Sequence, residues 1–422
     1  MASLHIDVGA PQGPADASLP AFSAGPGMSR FFARRTRGMT SWTTFSEDPD
    51  LISLAGGLPD TSLFGSDRYA ELLTEVARQS TAQALQYGPT SGLAATKACV
   101  RELMLAEGMQ VSPEEIIITT GGQQAIDLLC RAFLDPGDVV VAEAPTFPGA
   151  LLPFASHEAE VVQVATDGDG LRTDALAEAL RGLRDAGRTV KFVYCVPNFQ
   201  NPSGQTLSLE RRHEVLALAR EFDVPVVEDN PYGLLRFEGE PLPSLRSLDT
   251  EGRVLYVGTF SKLLGPGLRV GWLVAGPDVL EKIDLGKQCA DLCTPSTSQL
   301  FIATCFRHGI WREYVQLQTD VCRRRRDAML DAFTEHLPDG SSWLVPQGGL
   351  FIWVTLPDGM DTQELFTLAL RKSVSFVPGR VGFARPRPVH SEMRLNFSAC
   401  DEERIREGIR RLGESIREMS AG

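Results

Sequence analysis

The residues best suited to chemistry lie around Lys262, in the run from Gly258 to Arg269. Thr259 and Ser261 place hydroxyl groups before the lysine, and Arg269 follows it across a Gly-Pro-Gly turn. A lysine amine forms a Schiff base with an aldehyde, while a guanidinium and nearby hydroxyls bind a phosphate. The stretch therefore predicts binding of an aldehyde that also carries a phosphate, with Lys262 as the covalent anchor.

Two further motifs follow predicted strands and could bind the rest of such a molecule. Gly121, Gly122 and Gln123 lie where a strand meets a helix, and the free amides at a helix start stabilise an anion. Asn201 lies in a loop directly after the strand Phe192 to Val196, where α/β proteins place ligands. Each motif also fits a plain turn, a glycine-containing connection in the first case and an Asx-capped turn in the second.

An aspartate at the end of another buried strand is the third motif. Asp229 follows Val226, Val227 and Glu228, and a carboxylate in that position is costly unless it is paired. A protonated pyridine nitrogen is a suitable partner, because the pairing keeps such a ring cationic and electron-withdrawing. Tyr232, three residues on, could reach an oxygen of the same ring. The alternatives are a helix N-cap for Asp229 and simple ring packing for Tyr232.

These motifs lie on a pattern typical of an α/β fold. Between residues 50 and 275, short β-branched runs alternate with helical stretches, which predicts a mainly parallel, buried sheet. After about residue 300 a long helical stretch carries the run Arg323 to Arg326, which we interpret as a solvated helix face. Strand-like runs and an amphipathic helix follow it, so we expect a smaller α+β domain there. The expected division is an N-terminal segment at 1–49, a large domain at 50–300 and a small domain at 301–422.

Composition limits the classes of function. The 422 residues carry a formal net charge of −13, which disfavours nucleic acid as a partner. Neither a signal peptide nor an apolar run of membrane-spanning length is recognisable, so we expect a cytoplasmic protein with no membrane partner. Of the eight cysteines only Cys289 and Cys293 lie close together, without the neighbours that a metal site needs, and we expect no bound metal.

The order of the motifs resembles that of a known family. Phosphate turn, asparagine, aspartate-x-x-tyrosine and lysine-x6-arginine follow one another as in the class I/II aminotransferases of fold type I, which depend on pyridoxal phosphate. The chain most resembles the branch of 2-aminoadipate and kynurenine aminotransferases and the catalytic domains of MocR-type regulators. The match runs from about residue 37 onward and includes Ile52 to Pro59 and Leu85 to Pro89. It implies a large domain with a mainly parallel sheet of the seven-stranded type, beside a smaller α+β domain.

The resemblance also implies roles at matching positions. Lys262 would form the Schiff base with pyridoxal phosphate and transfer protons, and Asp229 would pair with the pyridine nitrogen. Asn201 and Tyr232 would hydrogen-bond the 3-oxygen, and Phe147 would stack on the ring where many relatives have tyrosine. The implied phosphate ligands are Gly122, Gln123, Thr259, Ser261 and Arg269.

Other matching positions would serve the substrate and a second subunit. Arg394 would bind the substrate α-carboxylate in bidentate fashion, with Gly57 and Asn201 beside it. Arg37 would contact a distal acid of the substrate, with a basic helix face as the alternative. Tyr87 would cross a dimer interface to the phosphate in the partner subunit, so the resemblance implies a homodimer with shared active sites.

The implied activity is transfer of an amino group between an L-amino acid and a 2-oxo acid. An alternative keeps the cofactor but uses the same carbanion for β- or γ-elimination, replacement or carbon–carbon bond formation, because fold does not fix the reaction. A third class, a transcriptional regulator, needs an N-terminal DNA-binding domain longer than the roughly 50 residues before the Ala55-Gly56-Gly57 motif.

Overall fold

The computed structural model describes residues 28–36, 48–385, 387 and 389–421. Two short 3-10 helices, Met28–Phe31 and Arg34–Thr36, belong to a compact unit separate from residues 48–421. The strands are β1 (Ile52–Ser53), β2 (Ile116–Thr119), β3 (Val139–Ala144), β4 (Glu160–Asp167), β5 (Gly170–Leu171), β6 (Val190–Cys195), β7 (Val226–Asp229), β8 (Val254–Thr259), β9 (Gly271–Val274), β10 (Ser342–Trp343), β11 (Phe351–Thr355), β12 (Val374–Ser375), β13 (Val377–Pro378) and β14 (Glu392–Asn396). The helices are α1 (Ser66–Ala84), α2 (Ala94–Ala106), α3 (Gly122–Phe133), α4 (Pro148–Ser156), α5 (Thr173–Asp185), α6 (Leu209–Phe222), α7 (Leu245–Leu248), α8 (Pro277–Ala290), α9 (Ser296–Arg307), α10 (Ile310–His336), α11 (Thr362–Arg371) and α12 (Glu402–Ala421).

An eight-stranded sheet is the main layer of the fold, in the order β2-β9-β8-β7-β6-β3-β4-β5. Strands β4, β3, β6, β7 and β8 pair in parallel, and β9 runs antiparallel to β8 and β2. Runs such as Ile116–Ile118 and Val139–Val141 are buried along their whole length, as a sheet covered on both faces requires. The predicted α/β fold is therefore confirmed. The predicted sheet is extended by β5, a two-residue strand that forms a hairpin with β4.

The packing of helix α3 on the sheet places Gly122 beside the end of β8. It begins at Gly122, after the short turn that ends β2, and buries Ala125, Ile126 and Leu129 on one stripe. This stripe packs against β8, β9 and α8. Gly122 therefore lies beside Thr259 at the end of β8, where a side chain added to the glycine would be in contact with the threonine.

A second sheet is built from the C-terminal third of the chain. Its four antiparallel strands lie in the order β10-β11-β14-β13, and helices α10 and α12 pack against each other. Strand β14 places Arg394 opposite Trp353 on one side and Val377 on the other. Strand β1 pairs in parallel with β12 and so brings residues 52–53 to this part of the fold. The division at residues 49 and 300 stays a prediction, because residues 48–421 form one compact unit.

The interpretation of Arg323 to Arg326 as a solvated helix face is wrong for two of the four residues. Arg325 is 7% exposed, donating to the Ser398 carbonyl at 2.6 Å and to the Asp60 carboxylate at 2.8 Å. Arg326 is 4% exposed and pairs with Glu238 at 2.5 Å. Consecutive residues point about 100° apart around a helix, so a run of four cannot remain on one face.

None of the helices in the described ranges combines the length and the apolar character that a membrane crossing needs.

Candidate active site

A cleft of about 430 Å³ opens where β6, β7 and β8 end, between the main sheet and β14. Most of the residues singled out from the sequence line it: Gly57, Gly122, Gln123, Phe147, Asn201, Asp229, Tyr232, Thr259, Ser261, Lys262, Arg269 and Arg394. Tyr87 is not among the lining residues of the single chain and is 76% exposed. Arg37 lies outside the described residues.

Lys262 follows β8 and reaches across the cleft. Its Nζ donates to the carbonyl oxygen of Gly57 at 2.5 Å. Burial lowers the pKa of Lys262 to about 8, the charges of Arg394 and Arg269 act in the same direction, and Asp229 opposes them. The amine is therefore uncharged more often near neutral pH than an exposed lysine, as a nucleophile or base requires.

Asp229 ends β7 and is 6% exposed. Its Oδ2 accepts a hydrogen bond from the Tyr194 hydroxyl at 2.6 Å. Burial raises the pKa of Asp229 to about 6, although the hydrogen bond from Tyr194 and the charge of Lys262 both lower it. The next helix, α7, begins only at Leu245, so Asp229 is not a helix N-cap. A cation in the cleft would stabilise the ionised carboxylate.

The phosphate-binding residues predicted from the sequence converge at the start of α3. The Arg269 guanidinium lies directly against Gly121, where an added Cβ would be 2.5 Å from Nη2. The Thr259 hydroxyl donates to the Ser261 hydroxyl at 2.9 Å, and the Ser261 amide donates back to Thr259 Oγ1 at 3.1 Å. The first amides of α3 have no acceptor within the helix. A cation, hydroxyls and free amides in one corner fit a phosphate.

A buried charge cluster lies behind the same turn. Lys287 of α8 donates to Asp291 Oδ1 at 2.7 Å and to Gln124 Oε1 at 3.0 Å. Asp291 Oδ2 in turn accepts from Gln124 Nε2 at 2.7 Å and from the Thr120 hydroxyl at 2.5 Å. Because Thr120 immediately precedes Gly121, this cluster fixes the backbone that leads into α3.

Arg394 occupies the opposite wall of the cleft and is 3% exposed. Its Nη1 donates to Asn201 Oδ1 at 2.8 Å and its Nη2 to the carbonyl of Ala55 at 2.5 Å. Its guanidinium lies 4.3 Å from the centre of the Phe351 ring. Burial lowers the pKa of Arg394 to about 10, so it stays charged at neutral pH. Its Nε is buried with no partner among the described residues, which leaves the guanidinium able to bind an anion.

Two aromatic residues complete the cleft. Tyr232 is buried, and burial raises its pKa while the charge of Arg394 and a hydrogen bond with Asn201 act in the opposite direction. The ring of Phe147 lies over Gly149, where an added Cβ would be 2.4 Å from the ring carbon Cζ. Gly149 therefore makes room for an aromatic face on one side of the cleft.

Three glutamates that do not line the cleft have raised pKa values: Glu143 in β3, Glu228 in β7 and Glu107 after α2. Glu143 accepts a hydrogen bond from the Val196 amide at 3.0 Å, and burial raises its pKa to about 8. Burial likewise raises the pKa of Glu228 and that of Glu107 to about 7 each. Glu143 is therefore mostly a neutral acid near pH 7, and Asp229 is the carboxylate that the cleft itself contains.

Sequence reasoning missed several residues of the site. Ile126, Val377 and Pro266 line the cleft, and Tyr194 contacts Asp229 from beneath it. The first three are apolar residues without a distinguishing pattern. Tyr194 did carry a signal, because it is a hydroxyl-bearing side chain within the otherwise apolar, buried run Phe192 to Val196.

Comparison with known proteins decides the family. Residues 50–412 match the family described as Aminotransferase class I and II. The chain belongs to this family. The aminotransferase is 43% identical over 395 residues to aromatic-amino-acid aminotransferase 1 of Thermococcus litoralis, with 92% of this chain and 94% of the relative covered. It is 38% identical over 400 residues to the 2-aminoadipate transaminase of Thermus thermophilus, with 94% of this chain and 97% of that protein covered.

A solved structure supports the same conclusion. Kynurenine aminotransferase of Pyrococcus horikoshii, in complex with PMP, matches the aminotransferase with a TM-score of 0.88 and 42% identity, covering 94% of this chain and 99% of the other. PMP is pyridoxamine phosphate, the amino form of pyridoxal phosphate. The aminotransferase therefore depends on pyridoxal phosphate and moves amino groups between an amino acid and a 2-oxo acid. This confirms the predicted family, fold, cofactor and activity.

Proposed function

We propose that the amino group is transferred in this cleft, with Lys262 as the residue that binds the cofactor aldehyde. The observation that supports this proposal is that Lys262, Asp229 and Arg394, which come from different elements of the fold, line the same cleft. An amine, a buried carboxylate and a buried guanidinium are the three groups that the aldehyde, the ring nitrogen and the substrate carboxylate need.

Bound pyridoxal phosphate supplies an electron-withdrawing ring that stabilises negative charge on the substrate α-carbon. Asp229 would hold the proton on the ring nitrogen, and Asn201 and Tyr232 would bind the ring oxygen. Phe147 would cover one face of the ring. The residues that would bind the phosphate are Gly122, Gln123, Thr259, Ser261 and Arg269.

Lys262 would also move the proton. Once displaced from the cofactor, its Nζ would be a free amine, and its lowered pKa would let it accept the α-proton of the substrate near neutral pH. Arg394 would bind the α-carboxylate through both guanidinium nitrogens and so orient the α-carbon toward Lys262. Gly57, whose carbonyl contacts Lys262 in the cleft, would lie beside the substrate.

The side chain of the substrate would meet an apolar wall. Besides Phe147, the apolar residues Leu58, Ile126 and Val377 line the cleft. Together with relatives named for aromatic amino acids and kynurenine, this wall supports aromatic L-amino acids as donors. Transaminase names among these relatives support amino transfer over elimination, replacement or carbon–carbon bond formation. A cytoplasmic location remains part of the proposal.

The proposal includes a homodimer with shared sites. Tyr87 and Leu85, two residues before it, are 76% and 83% exposed and together present a small apolar surface. A second copy of the chain would cover them and would bring Tyr87 to the phosphate of the partner site.

Lys262→Ala tests the covalent role. In the wild-type enzyme, borohydride reduction followed by peptide mass spectrometry should locate the cofactor on Lys262, and Lys262→Ala should lose both this adduct and transamination. Lys282→Ala, at an exposed position of α8, is the matched control and should keep both. A reducible adduct that persists in Lys262→Ala would refute the assignment.

A separate experiment tests the type of reaction. Adding phenylalanine or 2-aminoadipate alone to the enzyme should convert the cofactor to its amino form, whereas loss of a substrate side-chain group would support the alternative reactions.

A further inference from the structure

Asp229, which lines the cleft, accepts a hydrogen bond from Tyr194, a residue outside the cleft. Tyr194 lies on β6, next to β7, and pairs with Val227 in the parallel register. Asp229 is two residues beyond Val227, so the side chains of Tyr194 and Asp229 lie on the same face of the sheet. The Tyr194 hydroxyl donates to Asp229 Oδ2 at 2.6 Å, while Tyr194 itself is not among the lining residues.

The position of this hydroxyl is fixed by packing. Tyr194 is fully buried, and the ring of Phe154 from α4 packs edge-to-face on it at 5.5 Å. Because packing already fixes the rotamer of this ring, forming the hydrogen bond to Asp229 costs little additional side-chain entropy. With Oδ2 occupied by Tyr194, the other carboxylate oxygen of Asp229 is left for a group in the cleft.

The charges around the pair make this hydrogen bond chemically important. Lys262 in the cleft favours the ionised form of Asp229. Burial raises the pKa of Tyr194, and the charge of Asp229 and the hydrogen bond to it act in the same direction. Tyr194 therefore stays a hydroxyl donor at all ordinary pH values. A carboxylate that accepts such a hydrogen bond is stabilised as the anion and is a weaker base.

We infer that Tyr194 is a positioning residue for transamination, which orients Asp229 and weakens it as a base so that the proton stays on the cofactor ring nitrogen. The inference rests on the proposed function, in which Asp229 binds that nitrogen. Without the hydroxyl, burial would favour the neutral form of Asp229, which would then hold the proton in place of the ring nitrogen. A ring without that proton would supply weaker electron withdrawal to the substrate.

Tyr194→Phe removes this one hydroxyl and is the direct test. In holoenzyme reconstituted with pyridoxal phosphate labelled with ¹⁵N in the ring, the ring-nitrogen signal should move from the protonated toward the unprotonated range. The half-reaction with an amino acid should slow by roughly tenfold to a hundredfold, the loss expected for a hydrogen bond to a charged group. An unchanged nitrogen signal would overturn the inference.

Tyr256→Phe is the matched control. Tyr256 is a buried tyrosine on β8, and its hydroxyl donates to Glu107 at 2.6 Å without contacting Asp229. Loss of its hydroxyl should lower stability in a similar way and leave the ring-nitrogen signal where it is in the wild type. An equal shift in both variants would show that the effect is a general consequence of a disturbed core, and the inference would fail.

Asp229→Asn separates failure of this inference from failure of the proposed function. If Tyr194 acts through Asp229, adding Tyr194→Phe to Asp229→Asn should cause no further slowing of the half-reaction. Additive losses would overturn the inference. If Asp229→Asn alone leaves the nitrogen signal and the rate unchanged, the proposed role of Asp229 fails. If it changes both while Tyr194→Phe changes neither, only the role of Tyr194 fails.

Discussion

Lys262 can attack an aldehyde only while its amine is uncharged. The groups around it set its pKa and so the fraction of the amine that is uncharged. Burial is the main cause of its lowered pKa, and two guanidinium groups add to the effect. One of them belongs to Arg394, which would also bind the substrate carboxylate. The residue proposed to bind the substrate thus also lowers the pKa of the residue proposed to bind the cofactor aldehyde.

The pH dependence of cofactor binding follows from this arrangement. We predict that the rate at which cofactor-free enzyme captures pyridoxal phosphate rises with pH through about 8 and levels off above it. Arg394→Gln removes one positive charge, so it should raise the pKa of Lys262 and move the midpoint to higher pH. Stopped-flow absorbance measures this rate.

Arg404→Gln is the control for that experiment. Arg404 donates to backbone carbonyls of Pro49 and Leu51 and does not line the cleft, so its loss should leave the midpoint in place. If Arg394→Gln and Arg404→Gln gave the same midpoint as the wild type, the electrostatic coupling between Arg394 and Lys262 would be absent.

At the scale of elements, the turn between β2 and α3 owes its shape to a different helix. Lys287 and Asp291, at the end of α8, bind Gln124 and Thr120 from behind the turn. The phosphate-binding corner proposed at the start of α3 therefore depends on the packing of α3 against α8. Loss of one charge in this cluster should affect both the fold and the affinity for the cofactor.

Asp291→Asn tests this dependence. It leaves the fully buried Lys287 ammonium without its ionic partner, and we expect the free energy of unfolding to fall by about 3 kcal/mol. The affinity for pyridoxal phosphate should fall with it, because the turn loses its support. Denaturant titration and cofactor titration measure the two effects. Glu281→Gln, which weakens only an exposed ion pair with Lys282 on the same helix, should change neither.

The elements themselves could be predicted from local sequence, because a buried parallel strand is a continuous β-branched run. The buried strands expected at Phe192 to Val196 and at Val226 to Glu228 are confirmed as β6 and β7, and so is the approximate position of the residues at their ends. The family resemblance carried by the order of the motifs then implied which of those residues share a cleft. The first inference uses information within a few residues of the chain, whereas the second uses motifs spread from Gly121 to Arg394.

The hydrogen bonds and ion pairs between residues far apart in the sequence could not be predicted. Arg325 is buried because Asp60 and Ser398 meet it, and no local pattern indicates either contact. The hydrogen bond from Tyr194 to Asp229 likewise requires β6 and β7 to be neighbours, which strand order alone establishes. Long-range pairing of polar groups is the part of the site that sequence patterns leave open.

At the scale of the whole molecule, the proposed homodimer makes a sharp prediction about mixed subunits. Tyr87→Ala and Lys262→Ala should each be inactive alone, since every site lacks one group. After unfolding and joint reassembly, about one quarter of the sites should combine an intact Lys262 with an intact Tyr87 from the partner, and activity should return in proportion. Steady-state assays of the mixture measure this recovery.

A mixture of Lys262→Ala with Asp229→Asn is the matched control. Both residues line the cleft of the same chain, so no exchange of subunits can rebuild a complete site. That mixture should stay inactive. If the Tyr87→Ala mixture also recovered nothing, Tyr87 would not act across a shared interface.

The buried glutamates give the folded chain a different proton content from the unfolded one. Glu143 has an ordinary pKa of 4.5 when exposed and about 8 in the fold, and Glu107 and Glu228 are raised to about 7. Their contribution to stability is complete below pH 4.5 and is lost as pH rises through 7 to 8. At pH 6 folding therefore takes up protons from the solvent, and melting returns them. Calorimetric unfolding enthalpies should differ between phosphate and an amine buffer by the heat of that exchange, and Glu143→Gln should reduce the difference.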